Sequence, residues 1–155
     1  MARVTGHLVA EIVAARDEFF AALNAVDTER LTRGGLVGEW SGQDLIAHVG
    51  YWAGNAVDVI QAAERGAAES FGEGRPSVDE INHTVAKVAR RSDLASVQVR
   101  ERASFETLVE RLGALEPALL EVRLGDGATV EQGIREDGAE HYREHAAELR
   151  AAFAP

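Results

Sequence analysis

Apolar residues recur at steps of three and four along four long stretches of the chain, a spacing typical of helices with one buried face. No stretch shows the strict alternation of a half-buried strand. We therefore predict an all-α protein with four main helices, over residues 5–26, 41–65, 92–116 and 129–153. In the last helix the stripe consists of Val130, Ile134, His141, His145, Leu149 and Phe153.

Capping signals set the order of these helices. Three pairs have the spacing of a capping box, namely Ser41–Asp44, Ser77–Glu80 and Thr129–Gln132. The middle pair predicts a short extra helix over 77–91, and Pro117 should kink or end the third main helix. Residues 66–76 are rich in Gly, Ser and Glu and predict a flexible crossover. The expected fold is a four-helix bundle with a long crossover after helix 2 and a short extra helix before helix 3, forming one domain over residues 1–155.

The composition limits the chemistry available to such a bundle. The chain has 155 residues, of which 46% are hydrophobic, enough for one core. It contains no cysteine, so a metal site must use His, Asp or Glu, and any reactive thiol must come from a small molecule. No phosphate-binding loop, dinucleotide-binding motif or serine nucleophile elbow is found, which argues against the usual nucleotide-dependent enzymes and serine hydrolases.

Charge and hydropathy suggest the partners and the compartment. The formal charge is −10, and a field of this sign repels polyanions, so we expect no nucleic-acid partner. The one candidate basic patch consists of Arg90, Arg91, Arg100 and Arg102. The N-terminal residues lack the apolar core of a secretory signal, and no apolar run has the length of a membrane span. We expect a cytoplasmic protein with no membrane partner.

Three histidines are the strongest candidates for chemistry. His141 and His145 are four residues apart, so both rings lie on one helix face, and His48 lies in the apolar stripe of the second helix. Three imidazoles turned to one interior predict a divalent metal site on His48, His141 and His145 that leaves a position for water or substrate. Zinc is the first expectation, with nickel or iron as alternatives. The competing interpretation is a packed, empty core.

Four nearby residues have less specific signals. Trp52, one turn after His48, is expected in the core and also as a wall of a substrate pocket. His83 is a second substrate-binding candidate at the pocket mouth, although a solvated surface position is the simpler interpretation. Asp44 reads as a cap, with support of His48 as the alternative. Glu144 completes an H-x-x-E-H peptidase pattern, which we disfavour because the chain is small for that fold. No catalytic residue is assigned.

The segment from Trp40 to His48 resembles the W-[ST]-x-x-[DE]-x-x-x-H signature of the DinB-like (YfiT-like) metalloprotein superfamily. The pair His141-x-x-x-His145 resembles the second signature of that superfamily, and the resemblance spans nearly the whole chain. It implies that the three histidines are the metal ligands and that the fold is the bundle described above. It also implies that the protein can form a homodimer through exposed helix faces.

The resemblance also implies a function. Members include transferases and isomerases that use mycothiol, bacillithiol or glutathione, and the mycothiol-dependent maleylpyruvate isomerases are similar in their N-terminal metal domain. Others resemble self-resistance proteins of natural-product pathways. We therefore expect a metal-dependent enzyme for a small-molecule substrate, with a thiol S-transferase or related isomerase first and a low-molecular-weight thiol as cosubstrate. The alternative is a metal-dependent hydrolase or a self-resistance protein that sequesters a reactive natural product.

Overall fold

The protein is all-helical in the computed structural model, which describes residues 2–152 and their side chains from Val4 onward. The helices are α1 Ala2–Asn24, α2 Gly42–Glu64, α3 Val78–Arg90, α4 Leu94–Ala114, α5 Val130–Arg135 and α6 His141–Ala152. No strand occurs in this part of the chain. The all-α class and the bundle-like packing predicted from the periodicity are confirmed, with the short α3 placed between the crossover and α4. Phe153, expected in the last stripe, lies outside the described residues.

The helix starts follow the capping signals. All three capping boxes form, at the starts of α2, α3 and α5. The start of α4 differs by one position from the expected Ser92, because Asp93 accepts a hydrogen bond from the Ser96 backbone N–H at 2.7 Å and is the cap. This helix ends at Ala114, and Pro117 opens a separate 3₁₀ turn, as expected for a residue without a backbone N–H.

The core lies where α2 meets α4 and where α1 meets α6, and α3 packs on the outside of α2. Gly50 brings α2 and α4 together, since a Cβ at this position would lie 3.0 Å from the Cα of Glu101. The buried side chains are mainly aliphatic and include Leu8, Ile12, Phe19, Leu45, Ile46, Val49, Ile60, Leu108, Leu112, Ile134 and Leu149.

One charged network crosses this core. Arg16 of α1 donates two hydrogen bonds to the carboxylate of Glu101 on α4, at 2.7 and 2.8 Å, and the Tyr142 hydroxyl of α6 donates to the same carboxylate at 2.8 Å. The Arg16 guanidinium also lies over the rings of Phe20 and Phe105. Burial raises the pKa of Tyr142, so the hydroxyl stays a donor. Three helices are thus joined at one carboxylate.

The crossover between α2 and α3 is held at several points, in contrast to the flexible loop expected from its composition. Ala68 is buried in a short 3₁₀ turn, and Phe71 packs against the core. Arg75 donates to Asn55 Oδ1 at 2.8 Å and to the Tyr51 hydroxyl at 3.1 Å, both on α2. These contacts fix the crossover over the face of α2 that leads to the histidines.

Candidate metal centre

His48, His141 and His145 lie together, as the spacing predicted. Each offers a ring nitrogen, and these nitrogens lie within 4.8 Å of one another. The Nε2 atoms of His48 and His141 are 2.6 Å apart, and the ring centroids of His48 and His145 are separated by 4.8 Å. His48 is 4% exposed, His145 is 7% exposed, and His141 is half-buried. The arrangement is compatible with a metal site.

A π-helical segment over Glu136–Glu140 comes directly before His141. Its wider turn inserts a residue relative to an α-helix and rotates the residues that follow. In the helix that follows, Tyr142 is fully buried, His145 is nearly as buried, and His141 is half-buried. The sequence analysis expected one continuous α-helix over 129–153. It did not detect the π segment, because α-helical spacing of apolar residues applies only where the helix is regular.

Burial keeps two of the rings neutral. The pKa of His48 is lowered to about 2, first by burial and then by the two neighbouring histidines. The pKa of His141 is lowered to about 4, mainly by burial and by His145, against a hydrogen bond with the Glu136 backbone that raises it. Neutral imidazoles are the protonation state that binds metal ions.

The partners of the remaining ring nitrogens differ. His145 Nδ1 is 3.1 Å from Glu148 Oε2, the carboxylate–histidine contact that orients many metal-binding imidazoles. Two buried polar atoms lack a hydrogen-bond partner within the described residues, His48 Nδ1 and Asp44 Oδ1. The other Asp44 oxygen, Oδ2, accepts from the Ser41 backbone N–H at 3.0 Å, which confirms the capping role.

Two tryptophans flank the histidines. The Trp40 ring centroid is 4.6 Å from that of His48, and the Trp52 centroid is 5.9 Å from that of His141. The Trp52 indole N–H donates to Asn82 Oδ1 of α3 at 2.9 Å, which fixes the indole beside the site. Trp52 is therefore both buried and next to His141, as expected, and its part in substrate binding stays a prediction.

His141 and Trp52 open onto a cavity of about 760 Å³ between α2, the crossover and the π segment. Asp137 of the π segment lies in this cavity and accepts a hydrogen bond from Asn55 Nδ2 at 2.6 Å. Burial, reinforced by the nearby Glu136 and Asp126, raises the pKa of Asp137 to about 7 against the opposing effects of Asn55 and Arg75. Sequence reasoning missed this carboxyl because its neighbours come from three separate segments.

The two other candidates lie away from the cluster. His83 is exposed and lines a separate depression with Arg75 and Pro76, so the structure does not bring it to the histidines. Its neighbour Asn82 makes the contact with Trp52 instead. Glu144 is exposed at the cavity edge, and among the described residues no carboxylate joins the histidine cluster as the acidic ligand that the peptidase pattern requires.

The comparisons with known proteins concern the fold. No protein-family model matches the sequence, and no curated protein matches it. The structure is similar to the crystal structure of an uncharacterised protein from Escherichia coli UTI89, with a TM-score of 0.79 and 15% identity over 95% of this chain and 91% of that one. It is also similar to the colibactin self-resistance protein ClbS in complex with a dsDNA, with a TM-score of 0.73 and 14% identity over 96% of this chain and 94% of that one.

The ClbS complex corrects one expectation. We excluded nucleic acid as a partner from the charge of −10, yet a protein of similar fold is solved with dsDNA. The exclusion was wrong because net charge is a sum over the whole surface, whereas duplex contacts depend on the local field at one face. As for membranes, no helix within residues 2–152 combines the length and the apolar character that a span requires.

Proposed function

We propose that this protein is a metal-dependent enzyme of the DinB-like type that transfers a low-molecular-weight thiol to an electrophilic small molecule, or performs a related thiol-dependent isomerisation. The observation that carries the proposal is the cluster of His48, His141 and His145 at the end of a cavity large enough for a small molecule. The signature residues from Trp40 to His48 and the similarity of fold to two solved proteins support it.

The donor set fits a divalent ion. Three imidazole nitrogens are a ligand set that zinc takes in open sites. The three nitrogens lie within 4.8 Å of one another, so His48, His141 and His145 would hold a single ion together. Because all three donors are uncharged, the bound ion keeps its full positive charge and favours an anionic fourth ligand such as a thiolate. We propose zinc, with nickel or iron as alternatives.

A bound ion of this kind supplies a Lewis acid that lowers the pKa of a thiol or a water at its free position. The chain supplies the remaining functions. His145 is oriented by Glu148, Trp52 forms a wall beside His141, and the buried rings keep one side of the cluster dry. The cavity side of His141 is then the side from which thiol and electrophile enter.

Self-resistance is the second candidate, and the similarity to ClbS favours it. In that case the same site would activate water for hydrolysis of a reactive natural product, or would hold the compound without turnover. The two candidates differ in whether a thiol is consumed, so electrophiles should be incubated with metal-loaded protein with and without mycothiol or glutathione. Thiol-dependent loss of the electrophile supports the transferase, and thiol-independent loss supports the hydrolase.

Binding of duplex DNA to the protein should be measured separately, because the similar protein ClbS is solved in complex with a dsDNA.

Elemental analysis tests the metal site directly. Protein purified without an affinity tag should contain close to one equivalent of a divalent metal. His145→Ala should lose it, while His7→Ala, which removes an exposed histidine outside the cluster, should keep it. If the unmodified protein carries no metal and takes up none in dialysis against zinc, nickel or iron, the proposal is overturned.

A further inference from the structure

Carboxylates dominate the lining of the cavity that leads to His141. Seven acidic side chains line it against one basic side chain, Arg75. The acids are Glu69, Glu73, Asp126, Glu136, Asp137, Glu140 and Glu144, and all except Asp137 are exposed. The balance is more lopsided than that of the whole chain, which has 26 acidic and 16 basic residues.

The single cation is already engaged. Arg75 donates to Asn55 and to Tyr51, and its guanidinium lies 5.4 Å from the centre of the Phe71 ring. The carboxylates beside His141 are not engaged in this way, since within residues 4–152 no ion pair forms to Glu136, Glu140 or Glu144. Their charge is therefore available to whatever enters the cavity.

Three of these acids, Glu136, Glu140 and Glu144, lie on the segment that carries His141. Two aromatic rings, Trp52 and Phe71, also line the cavity. Aromatic faces bordered by carboxylates are the surroundings in which proteins bind organic cations.

The histidine cluster adjoins this cavity through His141, which lines it. His141 Nε2 meets Nε2 of His48, a residue that is 4% exposed and whose Nδ1 has no partner within the described residues. The acids thus surround the approach to the histidine cluster from the side of His141. A negative rim around this approach attracts cations and repels anions.

From this arrangement we infer that the cavity selects a positively charged small molecule, an organic ammonium compound whose reacting atom reaches the histidines while its cationic group lies among the carboxylates. The inference rests on the proposed function, because it takes the histidine cluster as the reacting end of the site. It also disfavours anionic cosubstrates such as glutathione relative to uncharged or cationic thiols.

Three thiols of similar size and different charge test the inference on cobalt-loaded protein. Cysteamine is cationic, 2-mercaptoethanol is neutral, and 3-mercaptopropionate is anionic, and thiolate binding to Co²⁺ changes its visible absorption. We expect cysteamine to bind at least about tenfold more tightly than 3-mercaptopropionate at low ionic strength, with 2-mercaptoethanol between them. The ratio should shrink in high salt, which screens exposed charges.

Substitutions test whether the acids beside His141 cause this preference for cationic thiols. The triple change Glu136→Gln, Glu140→Gln and Glu144→Gln should lower the affinity ratio of cysteamine over 3-mercaptopropionate while cobalt binding persists. Glu110→Gln, at an exposed acid of α4 outside the cavity, is the matched control and should leave the ratio unchanged. Equal affinities for the three thiols in unmodified protein, or a ratio that the triple change does not alter, would refute the inference.

Failure of the proposed function would look different. If cobalt does not bind, the metal-dependent function is overturned, and the charge preference is then read on metal-free protein from the NMR signals of the His141 ring and the Trp52 indole. Under the inference cysteamine shifts these signals at lower concentration than 3-mercaptopropionate does. Shifts of equal size at equal concentration would show that the cavity does not discriminate by charge.

Discussion

The buried carboxylate of Glu101 holds three helices together, and its replacement should be among the most destabilising polar substitutions in the protein. Glu101 is 1% exposed and accepts two hydrogen bonds from Arg16 and one from Tyr142. The change Glu101→Gln keeps the shape of the side chain but removes the negative charge. It leaves the Arg16 guanidinium, 21% exposed, without its counter-ion.

The expected loss of stability follows from the partly buried charge of Arg16, which Glu101→Gln leaves without a partner. Removing one partner of a buried ion pair costs about 3–5 kcal/mol, because the remaining charge stays desolvated. We expect a loss of about 3 kcal/mol for Glu101→Gln, at the lower end of this range, because Arg16 is partly exposed and water can solvate part of its charge. Tyr142→Phe removes one hydrogen bond to a charged acceptor and should cost about 1.5 kcal/mol.

Urea unfolding followed by circular dichroism measures these losses as shifts in midpoint at constant slope. The chain offers a control in the exposed pair of Glu64 on α2 and Arg111 on α4, where Glu64 accepts a hydrogen bond from Arg111 at 2.9 Å. There the side chains are 40% and 36% exposed, so Glu64→Gln should cost less than about 1 kcal/mol. All measurements should use metal-free protein.

The reasoning fails if Glu101→Gln costs no more than Glu64→Gln. That result would mean that solvent or a rearranged Arg16 compensates the lost charge, and the network would then contribute little to stability. A loss for Tyr142→Phe as large as that of Glu101→Gln would also contradict the argument, because it would place the energy in the single hydrogen bond from the Tyr142 hydroxyl and not in the Arg16–Glu101 charge pair.

Two further predictions concern single carboxyl groups. Asp44→Ala and Ser41→Ala each break one half of the α2 capping box and should each lower the free energy of unfolding by about 1 kcal/mol. A much larger loss for Asp44→Ala would contradict a purely capping role. Asp137 has a pKa of about 7, above its ordinary value of 3.8, so the stability that its protonated form contributes is complete below pH 3.8 and is lost as the pH rises to about 7. As the pH rises across this range, the free energy of unfolding of Asp137→Asn should increase relative to that of the unmodified protein by up to about 1.4 kcal/mol per pH unit. A difference between the two proteins that stays constant with pH would disprove the raised pKa.

Much of the fold could be predicted because it is encoded locally. The capping boxes at Ser41, Ser77 and Thr129 involve residues three positions apart, and each forms as expected. Helical periodicity likewise depends on residues within two turns of one another. The flexible crossover was the weakest part of the prediction, since composition does not reveal that Arg75 reaches Asn55 and Tyr51.

Some residues of the candidate site could likewise be predicted from the sequence, and others could not. His141 and His145 meet because of their spacing on one helix, and His48 could be added because it shares the inward face of α2. Glu101 could have been suspected, since it falls four residues after buried Val97 in the stripe of α4. For His83 the sequence leaves open a pocket mouth or, more simply, a surface position; the structure exposes His83, and its neighbour Asn82 contacts Trp52.

The sequence by itself determined the helical class, the three helix starts that have capping boxes and the inward positions of the three histidines, because each follows from patterns between neighbours along the chain. Only the tertiary structure decided the π segment before His141, the carboxylates gathered around the cavity and the joining of Arg16 to Glu101 across 85 positions. These features depend on how far each helix is rotated and shifted against the others. That register is set by the packing of the whole core, which no local pattern encodes.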